Sequence, residues 1–316
     1  MQSSPPADSR RSARRHLFAR HALVAQRRIE RLPGNVRALL WSTTAGLLFV
    51  VLNSLMRGLS LAVDPFQTQF LRYLMGFAVM LPLMLRAGVA TYWPKNVVGQ
   101  FTRGGVHTIG LVLWFIALPH ITIADVTAIG FTGPIFIMLG AVLVFKESMR
   151  WERWLAAGIG LAGVLIVVAP KLTGGGGVYN LVMLASSPVF AASFLMTKAL
   201  TRYERPGVIV AWQSISVTVL SLPLALWHWQ WPGPGQWLLF LLCGLLGSSA
   251  HYCLTRSYAA ADISATQSVK FLELVWATLI GWLWFDDQPS RSTLIGGLVI
   301  SASTLWIARR EARGPR

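Results

Sequence analysis

Between Ile263 and Phe285 the chain is apolar enough to cross a bilayer, yet its middle reads Ser268-Val-Lys-Phe-Leu-Glu-Leu-Val-Trp276, with Lys270 and Glu273 three residues apart. An ammonium and a carboxylate in such a place can bind an ionic solute, carry a proton, or pin one helix to a neighbour. On insertion scales a Lys or a carboxylate near a helix centre costs about 2.5–3.5 kcal/mol, so the two together cost on the order of 5–7 kcal/mol. Attraction at i, i+3 returns only about 0.2–0.5 kcal/mol on a wetted helix. Polar contacts inside membranes average about 0.6 kcal/mol. The pair does not offset its own burial, so it must face water or other polar groups. Helical spacing puts Gln267, Lys270, Glu273 and Ala277 on one stripe, with Leu272, Val275, Leu279 and Leu283 opposite. That stripe is expected to line a cavity, Glu273 holding a proton or a cationic group and Lys270 an anionic or carbonyl group.

Other polar residues inside apolar runs are weaker candidates. Arg72, with Gln69 a turn earlier, either snorkels outward or closes the outer side of the cavity by pairing with Glu273. Asp125 begins an apolar run, where it either favours the helix amino terminus or takes part in the site. Asp262 begins a later run in the same way. Trp114 lies deep, and either stacks on a flat ligand or packs against neighbouring helices. His107 and His251 are lone histidines within spans and are expected to be packed. No metal-ligand spacing, phosphate-binding Gly-rich lysine motif or Ser/His/Asp set is present, so neither a cofactor nor catalysis is expected.

The elements that must position these groups follow from composition. Of 316 residues, 54% are hydrophobic and 13% charged, and the mean hydropathy is +0.55. Soluble domains carry about 25% charged residues, so the composition is that of an integral membrane protein. Ten runs approach the roughly 20 residues needed to span: 36–57, 66–86, 100–119, 122–145, 152–170, 178–199, 207–227, 235–257, 263–285 and 292–309. The net charge of +16 does not point to nucleic acid, because the basic residues crowd an amino-terminal arm and the short gaps between runs. With the amino terminus inside, the inner loops and tail hold fourteen Lys and Arg, against Arg57, Lys171 and Arg291 outside. Both termini are therefore expected in the cytoplasm. Residues 1–35 form a basic arm without the apolar segment of a secretory signal, suited to anionic lipid. Cys243 and Cys253 lie ten residues apart on one predicted helix, too far along it to bridge.

The chain also repeats itself. A shift of 140 positions puts Phe145-Lys-Glu147 on Phe285-Asp-Asp287 and Gly104 on Gly244. A shift of 141 puts Leu81-Pro-Leu83 on Leu222-Pro-Leu224 and Pro65 on Pro206, and one of 137 puts Ala124-Asp-Val-Thr-Ala128 on Ala261-Asp-Ile-Ser-Ala265. Each repeat holds five spans, an odd number, so the second copy enters the membrane from the opposite face. The expected fold is thus all-α, with ten transmembrane helices as two inverted five-helix repeats, 36–170 and 176–309, and a basic tail at 310–316. Such folds hold substrate near the midplane, between halves that rock. Gly130, Gly133 and Pro134 loosen the fourth span, whose repeat partner carries Lys270 and Glu273. One repeat offers backbone space where the other offers charge.

The segments Ala124-Asp-Val-Thr-Ala-Ile-Gly-Phe-Thr-Gly-Pro134, Phe145-Lys-Glu147 and Ala157-Gly-Ile-Gly-Leu-Ala-Gly163 resemble the EamA-type members of the drug/metabolite transporter superfamily. The likeness covers roughly 36–309, with two departures: Leu274 stands where the repeat would carry proline, and Asp287 where it would carry glutamate. Lys270-Phe-Leu-Glu-Leu274 is similar to a subgroup of S-adenosylmethionine or riboflavin carriers. The resemblance implies a secondary transporter in the bacterial inner membrane that moves a small organic metabolite by alternating access. Riboflavin or S-adenosylmethionine uptake is the first expectation, and export of amino acids or other metabolites the second. A non-transporting membrane scaffold is the reading from another class, and the inverted repeat speaks against it.

Overall fold

The computed structural model describes residues 32–60, 62–121, 129–147, 150–171, 177–285 and 288–312. Most of the amino-terminal arm, the end of the basic tail, Asp125 and the Asp-Asp pair at 286–287 lie outside them. Among the described residues, ten α-helices have defined bounds: α1 (Gly34–Ser60), α2 (Pro65–Ala87), α3 (Val97–Ala117), α4 (Gly133–Phe145), α5 (Trp151–Val168), α6 (Val178–Leu200), α7 (Pro206–Trp227), α8 (Pro234–Ala260), α9 (Leu272–Phe285) and α10 (Arg291–Ala312). No strand occurs among the described residues. Local sequence sets several ends. Asp64 accepts the amides of Phe66 and Gln67 to start α2, and Asn96 accepts the amide of Gly99 to start α3.

Seven of these helices are long and apolar enough to cross a membrane. The other three are informative. Helix α3 carries Gln100, Arg103, His107 and Thr108 on its buried side, while α4 and α9 have 13 and 14 residues. Leu143, Leu283 and Leu298 are among the most exposed side chains, whereas Gln69, Gln100, Arg103, His107 and His251 are buried. Apolar groups face outward and polar groups inward, as a bilayer environment requires. The chain is an all-α, multi-pass membrane protein.

The packing follows a two-fold plan. Helix α1 packs on α8 as α6 packs on α3; α2 packs on α8 as α7 packs on α3; α4 meets α6 as α9 meets α1. The remaining large contacts, α2 with α7 and α5 with α10, pair each helix with its own repeat partner. Each repeat therefore buries much of its surface against the other, so the interface between repeats is also the core. Small residues allow the close crossings. A Cβ on Gly104 would collide with Ser216 of α7, and one on Gly244 would lie 2.6 Å from the backbone nitrogen of Gly76 on α2. A shift of 140 maps one crossing onto the other, residue for residue.

The fourth span of each repeat is not one continuous α-helix. In the first repeat, helical residues 129–130 are followed by a turn at 131–132, after which α4 starts at Gly133–Pro134. In the second, an eight-residue 3₁₀ segment, Ser264–Phe271, precedes α9. The two regular helices start at Gly133 and Leu272, 139 positions apart. The sequence expectation of one α-helix over 263–285 is corrected accordingly. The local cause is crowding at one carbonyl: Ile263 O accepts the Thr266 amide at 3.2 Å, the Thr266 hydroxyl at 2.8 Å and the Gln267 side-chain amide at 2.8 Å. Side chains that occupy a backbone acceptor favour the tighter i+3 turn over the α-helical one.

Candidate functional site

Phe271 anchors the 3₁₀ segment. It is fully buried, stacks on Phe131 with centroids 5.7 Å apart, and fills the space beside Gly160 of α5. Lys270 then reaches α6, its Nζ 5.3 Å from the ring centroid of Phe194. Glu273, in the first turn of α9, lies against α1, its Cγ 3.1 Å from where a Cβ of Gly46 would stand. The two charges are not an ion pair, since no oxygen of Glu273 lies within 4.0 Å of a cationic nitrogen among the described residues. Lys270 instead sits over a π face, where a cation gains about 0.5–2 kcal/mol.

Phe194 connects Lys270 to a polar cluster that brings Arg72 together with the two histidines expected to be packed. His107 of α3 lies 6.2 Å from Phe194 and 5.8 Å from His251 of α8, ring centre to ring centre. The hydroxyl of Tyr73 and Nε2 of His107 share a hydrogen bond of 2.9 Å, and Nδ1 of His107 meets Ser193 Oγ at 3.2 Å. His251 Nε2 meets Gln213 Nε2 at 3.4 Å and packs edge-on against Phe49 of α1. Arg72 lies over the Tyr73 ring at 4.8 Å. A cavity of about 10 Å³, room for one water, is lined by Arg72, Tyr73, Gln213, Ser214, Ser248 and His251 among others. Six helices from both repeats supply this cluster.

The expected site residues fare differently. Arg72 joins the cluster, and of its two expected placements the pairing with Glu273 is not observed: it makes no ion pair among the described residues and lies against Tyr73 and Gly247. Gln69 is buried, and both polar atoms of its side-chain amide lack a hydrogen-bond partner among the described residues. Gln267 is also buried, but its amide is engaged by Ile263 O and by Thr266 Oγ1 at 3.1 Å. Trp114 is packed with Tyr73, Leu111 and Phe115, edge-on to the last at 4.9 Å. A Cβ added at Gly130 or Gly133 would meet nothing within 4 Å, and Pro134 is buried in the first turn of α4. Asp125 lies outside the described residues.

Arg103 is one of the fourteen Lys and Arg that the charge count assigns to the inner loops and tail. It is instead buried within α3, its Nε donating to Thr197 Oγ1 at 2.8 Å and its Nη1 to Ile209 O at 3.3 Å. The signals for these overlooked residues were present: two lone histidines and an arginine inside apolar runs. Every described acidic residue other than Glu273 lies at or beyond the end of a span. Among the described residues, the interior of the spans therefore holds Arg72, Arg103 and Lys270 against the carboxylate of Glu273.

A polar, aromatic cluster lies between two interlocked repeats, with the fourth span of each broken beside it, an arrangement used by secondary transporters built from inverted repeats. The EamA-like transporter family matches residues 36–169 and again 178–309, and the chain belongs to that family. It is 35% identical to a riboflavin transporter of Rhizobium johnstonii, over 88% of this chain and 92% of that one. It is 26% identical to an S-adenosylmethionine uptake transporter of Rickettsia bellii, over 78% of this chain and 85% of that one. A solved crystal structure shares the fold with a TM-score of 0.76 at 22% identity, covering 87% of this chain and 97% of that one. The protein is a membrane transporter of a small metabolite.

Proposed function

We propose that the chain takes up riboflavin across the bacterial inner membrane by alternating access, with both termini in the cytoplasm and the repeats 36–170 and 176–309 rocking about the central cluster. The carrying observation is the make-up of that cluster: Tyr73, His107 and His251 in mutual ring contact, Phe194 against His107, and Arg72 and Lys270 each over an aromatic face. Such a surface suits a flat heteroaromatic ring with hydrogen-bonding edges. Its charge also discriminates. Arg72 and Lys270 against Glu273 repel a net cation such as the sulfonium of S-adenosylmethionine, and accept a neutral isoalloxazine with carbonyl and imide groups. The relative at 35% identity is a riboflavin transporter, which supports the same reading.

In this reading Glu273 and Lys270 are the polar ends of the site, and the unpartnered amide of Gln69 offers one donor and one acceptor to the ring edge. The test is expression in a riboflavin-requiring bacterium lacking its own importer. Growth on micromolar riboflavin, with uptake of labelled riboflavin undiminished by excess S-adenosylmethionine, is the expected result. Rescue of an S-adenosylmethionine-requiring strain instead, or net efflux from preloaded vesicles without entry, would reject it.

A further inference from the structure

We propose that Glu147 is the latch of a cytoplasmic gate, closing the inner end of the pathway by clasping the start of the segment that carries Lys270. This inference rests on the alternating-access reading, because a pathway that never opens inward needs no such latch.

The clasp begins with the end of α4. Lys146 has a left-handed backbone, φ 55°, rare for a residue with a Cβ. Its amide bonds Val142 O at 3.1 Å, and the Glu147 amide bonds Ala141 O at 3.3 Å, the pattern of a helix closed by a left-handed residue. The chain thereby reverses, and the Glu147 carboxylate meets the far repeat. One oxygen accepts the Ile263 amide at 3.1 Å, and the other accepts the Ser264 amide at 3.3 Å and the Ser264 hydroxyl at 2.6 Å. These are free donors at the start of a 3₁₀ segment, where a carboxylate binds most favourably.

A second group grips the same place from α5. Arg153 donates to Ser264 Oγ at 2.8 Å and to Asp262 Oδ2 at 3.3 Å, while its Nε is held by Glu311 of α10 at 2.9 Å. Lys198 of α6 ties down the end of α8, donating to Tyr258 O at 2.7 Å and Ala261 O at 2.6 Å. A cleft of about 420 Å³, lined by Glu147, Lys198, Thr201, Arg202 and Asp262, abuts the clasp. On a 3₁₀ segment residues three apart align, so Ser264, Gln267 and Lys270 form one edge, spaced about 6 Å per turn. The clasped end of that edge borders the cleft, and Lys270 stands two turns further in. Releasing Glu147 removes three of the bonds that hold Ile263 and Ser264 and leaves Arg153 as the remaining grip on the start of the segment.

Two measurements test this. In a background with Cys243 and Cys253 replaced by alanine, Glu147→Cys with Ser264→Cys is reconstituted into proteoliposomes and oxidised. Riboflavin exchange is expected to fall at least tenfold in cross-linked protein and to recover on reduction. Undiminished exchange by fully cross-linked protein overturns the latch. Independently of any substrate, Glu147→Gln is expected to raise labelling of a cysteine at 268 several-fold by an impermeant maleimide applied from the cytoplasmic side. Unchanged labelling overturns it as well. If riboflavin is not the substrate, the labelling still reads the gate, so the two failures are told apart.

Discussion

Tyr73 and Gln213 stand 140 positions apart, on repeat-related α2 and α7, and each hydrogen-bonds a histidine, Tyr73 to His107 and Gln213 to His251. The same two helix pairs, α2–α3 and α7–α8, thus build each half of the central cluster. The histidines break the symmetry by one turn. A shift of 140 carries His107 to Gly247, the glycine that makes room for the Arg72 guanidinium. The site is therefore a symmetric scaffold carrying asymmetric contents, as a small asymmetric substrate requires.

The contact between Tyr73 and His107 makes the first prediction. Tyr73→Phe keeps the ring but leaves His107 Nε2 buried without that partner, at a cost of about 1–3 kcal/mol. Substrate affinity is expected to fall about threefold to tenfold, corresponding to about 0.7–1.4 kcal/mol. In transport kinetics of Tyr73→Phe, His107→Phe and the double variant, the effects should couple by about 0.5–3 kcal/mol. Strict additivity would remove the pair from the site.

Glu273 is the only described carboxylate away from the span ends, so neutralising it leaves Arg72, Arg103 and Lys270 uncompensated. Glu273→Gln is expected to insert at normal abundance, yet to lose at least about tenfold of its uptake, about 1.4 kcal/mol. If the carboxylate also couples protons, dissipating the proton gradient slows the wild type and leaves the residual uptake of the variant unaffected. Uptake by Glu273→Gln at the wild-type rate would remove the carboxylate from the mechanism.

Long features with strong periodicity were legible in the sequence, and short-range competition was not. The helix α7, expected at 207–227, is observed at Pro206–Trp227, because a long apolar run between Pro and charge has few alternatives. The shift that pairs Gly104 with Gly244 reappears in space as two equivalent crossings, since close approach leaves a small residue on both sides. The 3₁₀ segment was hidden because its cause is three donors meeting at the carbonyl of Ile263, which hydrophobic spacing does not register. Arg103 was misplaced for a related reason: charge counting treats an arginine near a span end as loop, whereas Thr197 and Ile209 O from two other helices make its burial tolerable. Lys270 and Glu273 were legible as adjacent charges in an apolar run. Their separate partners, Phe194 and the wall of α1 at Gly46, come from helices distant in sequence.

The two glycine crossings differ in what a methyl group would strike. At Gly244 it meets the backbone of Met75 and Gly76, which cannot turn away; at Gly104 it meets the side chain of Ser216. Overpacking costs about 1–3 kcal/mol, so Gly244→Ala is expected at the upper end of that range and Gly104→Ala below it. Adding Ser216→Gly should restore much of the stability of Gly104→Ala. Thermal unfolding in detergent measures all three, and equal losses without rescue would contradict the packing.

Gln69 separates a functional polar group from a structural one. Both of its amide atoms are buried without partners, and such an amide destabilises the fold by about 1–3 kcal/mol relative to a satisfied one. An apolar residue of similar length and volume removes that burden, so Gln69→Met is expected to raise the unfolding temperature or leave it unchanged. If the amide serves the substrate, the same substitution should weaken riboflavin binding about tenfold, roughly 1.4 kcal/mol. Stability and transport then move in opposite directions, whereas a purely structural glutamine would lower both. Thermal unfolding and uptake kinetics measured on one preparation decide between them.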